Sequence, residues 1–147
     1  MIEYALMKPQ HVAQVAELEK LCFSEPWSEN AVRSELSNPL SLWIVALDAD
    51  AVVGYVGSQS VLGEADMMNI AVSADYRRQG VAEGLVRSLI SELRQRDVSC
   101  LTLEVRASNE PAKALYQKLS FVEVGRRLNY YTKPKEDALI LRKEWVL

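Results

Sequence analysis

Residues 42–72 constrain the fold more than any other part of the chain. Three strand-favouring runs, 42–47, 52–61 and 65–72, are separated only by residues 48–51, with Asp48-Ala49-Asp50 as the turn, and by Leu62-Gly63-Glu64. Connections this short join antiparallel neighbours, because a parallel return needs a crossover of about a dozen residues or more. The pattern then changes period. Val81, Leu85, Val86, Leu89, Ile90 and Leu93 recur every three or four residues and form one apolar stripe over residues 80–96. A chain with a meander running into such a helix builds a mixed sheet with helices against it.

The flanking segments extend this architecture. Residues 2–5 read as a short strand. Behind Pro9, which suits a first helical turn, Val12, Val15, Ala16, Leu18, Leu21 and Cys22 recur at helical spacing. The segment "FSEPWSENAVRSELSN" breaks at Pro26, and Ser28 can cap a second helix running to about residue 37, with Trp27 just outside it. Beyond the long helix come a strand at 99–105 and a helix at 110–119 opened by Asn109 and Pro111. Strands at 121–127 and 137–141 complete the order β-α-α-β-β-β-α-β-α-β-β. No repeat, low-complexity tract or linker divides the 147 residues. We therefore expect residues 1–147 to form a single α/β (α+β) domain, with a mixed, largely antiparallel sheet flanked by about four helices.

Composition narrows the classes of function. Hydrophobic residues at 49% and charged residues at 25% are those of a globular protein, not a disordered one. A formal charge of −3 argues against nucleic-acid binding, which draws its affinity from neutralised phosphates. The longest apolar run, residues 42–47, is far short of a membrane span, and no basic segment leads into an apolar one at the N-terminus, so a cytoplasmic location is expected. The two cysteines, Cys22 and Cys100, lie far apart with no partners at metal-ligand spacing; the pattern argues against a metal site or disulfide framework and for two small core residues. His11 is the only histidine, which leaves a Cys-His nucleophilic pair open without any local signature for it.

Three groups of residues carry candidate chemistry. In "SADYRRQGVAEGL" a strand runs through a turn into a helix, so successive N–H groups of Arg78, Gln79, Gly80, Val81, Ala82 and Glu83 converge where a helix N-terminus attracts anions. Gly80 permits an unusual backbone angle, and the small Ala82 and Gly84 would keep the first turn open for a phosphate. The stretch has neither GxGxxG nor Gly-Lys-Ser/Thr, and alone it reads first as a helix start with solvated arginines. In residues 101–105, strand alternation puts Leu101, Leu103 and Val105 on one face and Thr102, Glu104 and Arg106 on the other. Glu104 reads either as the partner of Arg106 in a surface pair or as a general base, acting directly or through one water. Asn109 and Tyr116, seven residues apart, can share one helix face; their simpler roles are an N-cap and a packed aromatic. Tyr130 and Tyr131 follow "RRLN" in what reads as a hairpin loop.

The loop Arg77-Arg78-Gln79-Gly80-Val81-Ala82 resembles the Gln/Arg-x-x-Gly-x-Gly/Ala motif of the GCN5-related N-acetyltransferases. The likeness extends over nearly the whole chain through "NIAV", "LEVRASNEPAKALYQKLSF", "YYTKPKEDALIL" and "SEPWSEN". It implies acetyl-CoA as cosubstrate, with its pyrophosphate on the amides of residues 78–83. It also implies backbone of Ile70, Ala71 and Val72 beside the pantetheine arm and the developing oxyanion, and Asn109 contacting the cofactor. Glu104 is then the base and Tyr116 the acid for the leaving thiol. Within the family these segments look like the enzymes that acetylate the N-terminal alanine of a small-subunit ribosomal protein, the eighteenth, with Tyr130, Tyr131 and Trp27 at the peptide. Two positions depart from that pattern: Thr132 stands where a proline is usual, and Ser120 replaces the glycine of Leu-Gly-Phe. An acetyltransferase acting on lysine or a small amine, and a non-catalytic acyl-CoA-binding module, remain the alternatives.

Overall fold

The computed structural model describes residues 1–132 and 134–147. Its elements follow the expected order: β1 (Ile2–Leu6), α1 (Val12–Cys22), α2 (Glu29–Glu35), β2 (Ser41–Asp48), β3 (Ala51–Val61), β4 (Glu64–Val72), α3 (Val81–Gln95), β5 (Cys100–Arg106), α4 (Glu110–Lys118), β6 (Val122–Thr132) and β7 (Lys135–Glu144). Single 3-10 turns at Pro9–His11 and Ala74–Tyr76 precede α1 and follow β4. The seven strands form one sheet in the order β1-β2-β3-β4-β5-β7-β6, antiparallel except between β4 and β5.

That one parallel contact shapes the molecule. Its register holds for only three pairs, from Glu64 with Cys100 to Asp66 with Thr102. β4 continues to Val72 and β5 to Arg106, so the strands part beyond Asp66 and open a gap in the sheet. Met68 marks the place on the β3 side as well: Gly57 pairs with Asn69 and Ser58 with Met67, leaving Met68 as the extra residue of a bulge.

The helices cover both faces. Val81, Leu85, Val86, Leu89, Ile90 and Leu93 of α3 are all buried in the larger core, together with Tyr116, Leu119 and Phe121 at the end of α4. Burial is worth about 1.5–3 kcal/mol for each such side chain, which outweighs the cost of about 1 kcal/mol for a glycine inside the helix. Gly84 is tolerated for a contact: a Cβ there would overlap the Tyr4 hydroxyl. Its smallness thus serves the packing of α3 on β1, not an opening for phosphate. On the other face α1 and α2 bury Val12, Val15, Leu18 and Val32 against Trp43, Val45, Val52 and Tyr55. Ser28 caps α2 through its hydroxyl, which accepts from Ala31 N at 3.0 Å.

Three expectations change. The terminal hairpin is longer than its sequence pattern suggests, so Tyr130 and Tyr131 lie on β6 itself and not in a loop. β6 is an edge strand exposed along most of its length, and no burial imposes alternation on its sequence. Asn129, in the left-handed region (φ 54°), bends the strand where its register shifts, and Asp137 Oδ1 accepts its N–H at 2.8 Å. Cys100 is a core residue, but Cys22 is only half-buried, with Arg77 Nη2 at 3.8 Å from its sulfur. His11 serves the entry to α1, its Nδ1 accepting Lys8 N at 3.0 Å.

Candidate active site

The turn after β4 is held from both sides. Arg77 reaches back to the carbonyl of Val72 (Nε, 3.2 Å), and Gln79 Nε2 donates to Asp75 O at 3.1 Å. Arg78 and Gly80 both take left-handed backbone angles (φ 63° and 79°), and the first helical bond runs from Gly84 N to Gly80 O at 3.0 Å. The amides of Arg78, Gln79, Gly80, Val81, Ala82 and Glu83 have no acceptor among the described residues. Alternating handedness turns such groups toward a common point, the geometry of an anion nest at the positive end of a helix. A Cβ on Gly80 would meet no protein atom within 4 Å, so the angle, not crowding, demands glycine there. The Glu83 carboxylate is engaged by Lys118 (2.7 Å) and Arg87 (2.9 Å). Its hydrogen bond from Lys118, then that from Arg87, holds its pKa below the ordinary carboxylate range.

The gap between β4 and β5 widens into a cleft of about 860 Å³. Ile70, Glu104, Asn109, Tyr116, Trp27, Tyr130 and Tyr131 all border it. These are residues that the sequence singled out from five separate segments. Ala71, Val72 and the turn residues 78–83 do not border it: Ala71 packs into the core under α1, the Val72 carbonyl is occupied by Arg77, and the turn lies beyond the end of β4.

Tyr116 is set by the end of its own helix. Phe121 N donates to Tyr116 O at 2.9 Å and Ser120 N to Gln117 O at 3.0 Å, with Ser120 at φ 69°; this is a Schellman motif, and Phe121 packs edge-on against the Tyr116 ring at 5.3 Å. Ser120 therefore occupies the position where glycine is usual, and the turn it makes positions the phenol. The ring is buried, and its hydroxyl meets Met67 Sδ at 3.7 Å. Burial pushes the phenol well above its ordinary range, so it stays protonated.

Glu104 borders the same cleft as Tyr116, from β5 and on the alternation expected: Leu101, Leu103 and Val105 are buried and Thr102, Glu104 and Arg106 half-exposed. Arg106 goes to Pro134 O (3.0 Å) and Glu136 (3.4 Å) and lies over the Tyr131 ring at 4.2 Å. Arg127 on β6 stands 3.4 Å from Glu104 Oε2, at ion-pair distance but outside hydrogen-bond geometry. That oxygen is buried and has no hydrogen-bond partner among the described residues. The charge of Glu104 is felt across the cleft: burial first, and then this carboxylate, raises the phenols of Tyr130 and Tyr131. Asn109 caps α4, its Oδ1 accepting Ala112 N at 3.2 Å.

Arg127, Met67 and Glu19 belong to this region and escape sequence reasoning. For Glu19 the signal was present, since it follows Val12, Val15 and Ala16 at helical spacing on the buried stripe of α1. Arg127 and Glu104 lie 23 positions apart on strands separated by β7, which no local pattern reveals. No cluster of His, Cys, Asp or Glu able to hold a metal is found among the described residues. No helix among them is long and apolar enough to cross a membrane.

An anion nest beside a gap in a sheet, with a carboxylate and a buried phenol across it, is the layout of a group-transfer site that takes a phosphate-bearing donor. Residues 12–121 match the acetyltransferase (GNAT) family model, and the chain belongs to that family: it is an acetyl-CoA-dependent N-acetyltransferase. The [ribosomal protein bS18]-alanine N-acetyltransferase of Escherichia coli K12 is 40% identical over 126 residues, covering 84% of both chains. A protein of Bacillus subtilis strain 168 is 38% identical over 95% of this chain and 91% of its own. The crystal structure of the Escherichia coli ribosomal-protein-S18-alanine N-acetyltransferase superposes with a TM-score of 0.90 at 36% identity, covering 100% of this chain and 96% of the other.

Proposed function

We propose that this protein acetylates the α-amino group of an N-terminal alanine, that of the eighteenth protein of the small ribosomal subunit, with Glu104 as base and Tyr116 as acid. The activity named for its relatives at 36–40% identity supports the substrate. The observation that carries the chemistry is that Glu104, whose buried Oε2 is paired only in charge with Arg127, lines the same cleft as a buried phenol.

Acetyl-CoA supplies an activated acyl group on a thioester. The amides of residues 78–83 would hold its pyrophosphate, and Asn109 and the backbone of Ile70 its arm. Glu104 takes the proton of the incoming ammonium, directly or through one water. The demand on it is modest: an α-amino group titrates near 8 and a lysine near 10.4, so an N-terminus is easier to deprotonate at neutral pH by roughly 3 kcal/mol. Tyr116 donates toward the departing sulfur. Burial weakens it as an acid, yet the same apolar surroundings destabilise a bare thiolate, so the two groups remain matched. Arg127 stands at ion-pair distance from Glu104 without consuming a hydrogen bond. Trp27, Tyr130 and Tyr131 form the walls against which the peptide lies. Peptides beginning Ala-Arg or Ser, offered beside free lysine and polyamines, test the reading; turnover of the small amines alone would refute it.

A further inference from the structure

The apolar stripe of α1 is interrupted by one carboxylate. Glu19 is fully buried on the helix face turned to the sheet. A carboxylate removed from water persists only where donors serve both oxygens, and here three donors come from three different segments. Oε1 accepts the backbone N–H of Trp27 at 2.8 Å. Oε2 accepts the side-chain amide of Asn69 at 2.9 Å and the hydroxyl of Tyr55. Tyr55 is the donor of that pair, because burial and the adjacent carboxylate hold its phenol far above the ordinary range. Trp27 belongs to the connection between α1 and α2 on one wall of the cleft, and Asn69 stands beside the Met68 bulge on another. Tyr55 lies beneath them on β3, stacked on Trp43 at 5.8 Å, while Trp43 meets Trp27 edge-on at 5.5 Å.

We propose that Glu19 is a positioning residue: it ties the α1–α2 connection at Trp27 to the β4 bulge at Asn69, and so sets the spacing between the wall that meets the peptide and the strand beside the gap. This rests on the reading of the cleft given above. Glu19 touches no reacting atom and acts through Trp27 and Asn69. Glu35 provides an internal control. It too is a buried carboxylate, accepting Trp43 Nε1 at 3.1 Å and Gln59 Nε2 at 3.0 Å, and it fastens α2 to the same sheet. Neither Glu35 nor those two partners borders the cleft.

Glu19→Gln keeps the size of the side chain but sets an NH2 group among donors. Its expected effects are a peptide KM raised at least tenfold, an acetyl-CoA KM within twofold of wild type, and faster amide hydrogen exchange over residues 23–28. Glu35→Gln is expected to lower thermal stability comparably and to shift the peptide KM and that exchange far less, since it reaches Trp27 only through the ring of Trp43. An unchanged peptide KM and unchanged exchange in Glu19→Gln would overturn the proposal, and so would equal shifts in the two variants. Should Glu19→Gln not fold, Asn69→Ala removes one donor and is read by exchange alone: protection of residues 23–28 falls if Glu19 ties the two walls, and protection at the wild-type level overturns the tie. Wild-type protein that acetylates no N-terminal peptide would count against the reading of the cleft, whereas the exchange comparison still judges Glu19 without any turnover.

Discussion

The six buried side chains of α3 are all apolar, whereas α1 and α2 each bury a carboxylate, Glu19 and Glu35. Helices on opposite faces of one sheet thus meet it by different means. α3 presents a continuous stripe, and at its N-terminus only backbone amides are offered to a ligand. The α1–α2 side is fixed by directional hydrogen bonds to Trp27, Asn69, Trp43 and Gln59, and the residues those bonds hold include walls of the cleft. Apolar packing tolerates exchange of one side chain for another of similar volume; a three-donor carboxylate does not. On the proposed reading of the site this is a division of labour: the cofactor end is built from main chain on a generic scaffold, and the substrate end from particular side chains.

The largest expected effect lies at the substrate end. Glu104→Gln should lower kcat by about 10²–10⁴, the range of general-base catalysis, while the dissociation constant for CoA measured by calorimetry stays at the wild-type value. The pH profile sharpens the assignment of roles. The folded-state pKa of Tyr116 is raised above its ordinary value of 10.0, so its proton is kept as pH rises to and beyond that value. The kcat profile should therefore rise with deprotonation of base and amine and then stay level to about pH 10. A falling limb at pH 8 would contradict Tyr116 as the acid.

Breaking the scaffold should look different. Leu89→Ala, at the centre of the α3 stripe, should cost about 2–5 kcal/mol in denaturant unfolding, with the peptide KM of the folded fraction unchanged. Gly80→Ala should have a smaller effect, confined to the cofactor end. A left-handed angle costs a residue bearing a Cβ about 1–2 kcal/mol, so CoA should bind roughly tenfold more weakly, with peptide KM preserved. The smallest change runs in the stabilising direction. Ser120→Gly relieves the same kind of strain at φ 69° and should raise stability by about 1 kcal/mol, seen as a rise in Tm.

The stripe of α3 and the runs at 42–72 were legible because burial dictates their period: one face of a helix, or successive strands closed by two-residue turns. The Glu104 strand was legible for the same reason. β6 was not, since its sequence is that of an uncovered edge and carries no alternation. Gly84 invited the wrong explanation because a glycine serves close packing and ligand approach equally well, and only the position of Tyr4 decides between them. Asn109 illustrates the reverse case: its capping bond is local and readable, while its place on the cleft depends on how far β4 and β5 part. Pairs such as Arg127 with Glu104 and Glu19 with Asn69 are products of topology, and the separation of their members in the chain hides them.

The three-pair seam between β4 and β5 has a consequence for the order of folding. β2, β3 and β4 zip across two-residue turns, but the seam joins strands whose connection includes the whole of α3. Closing so long a loop carries an entropic cost on the order of 2 kcal/mol beyond that of a tight turn, and only three residue pairs repay it directly. That cost favours forming the meander and α3 before the seam closes. The cleft beside it depends on this long-range pairing and not on the short-range meander alone.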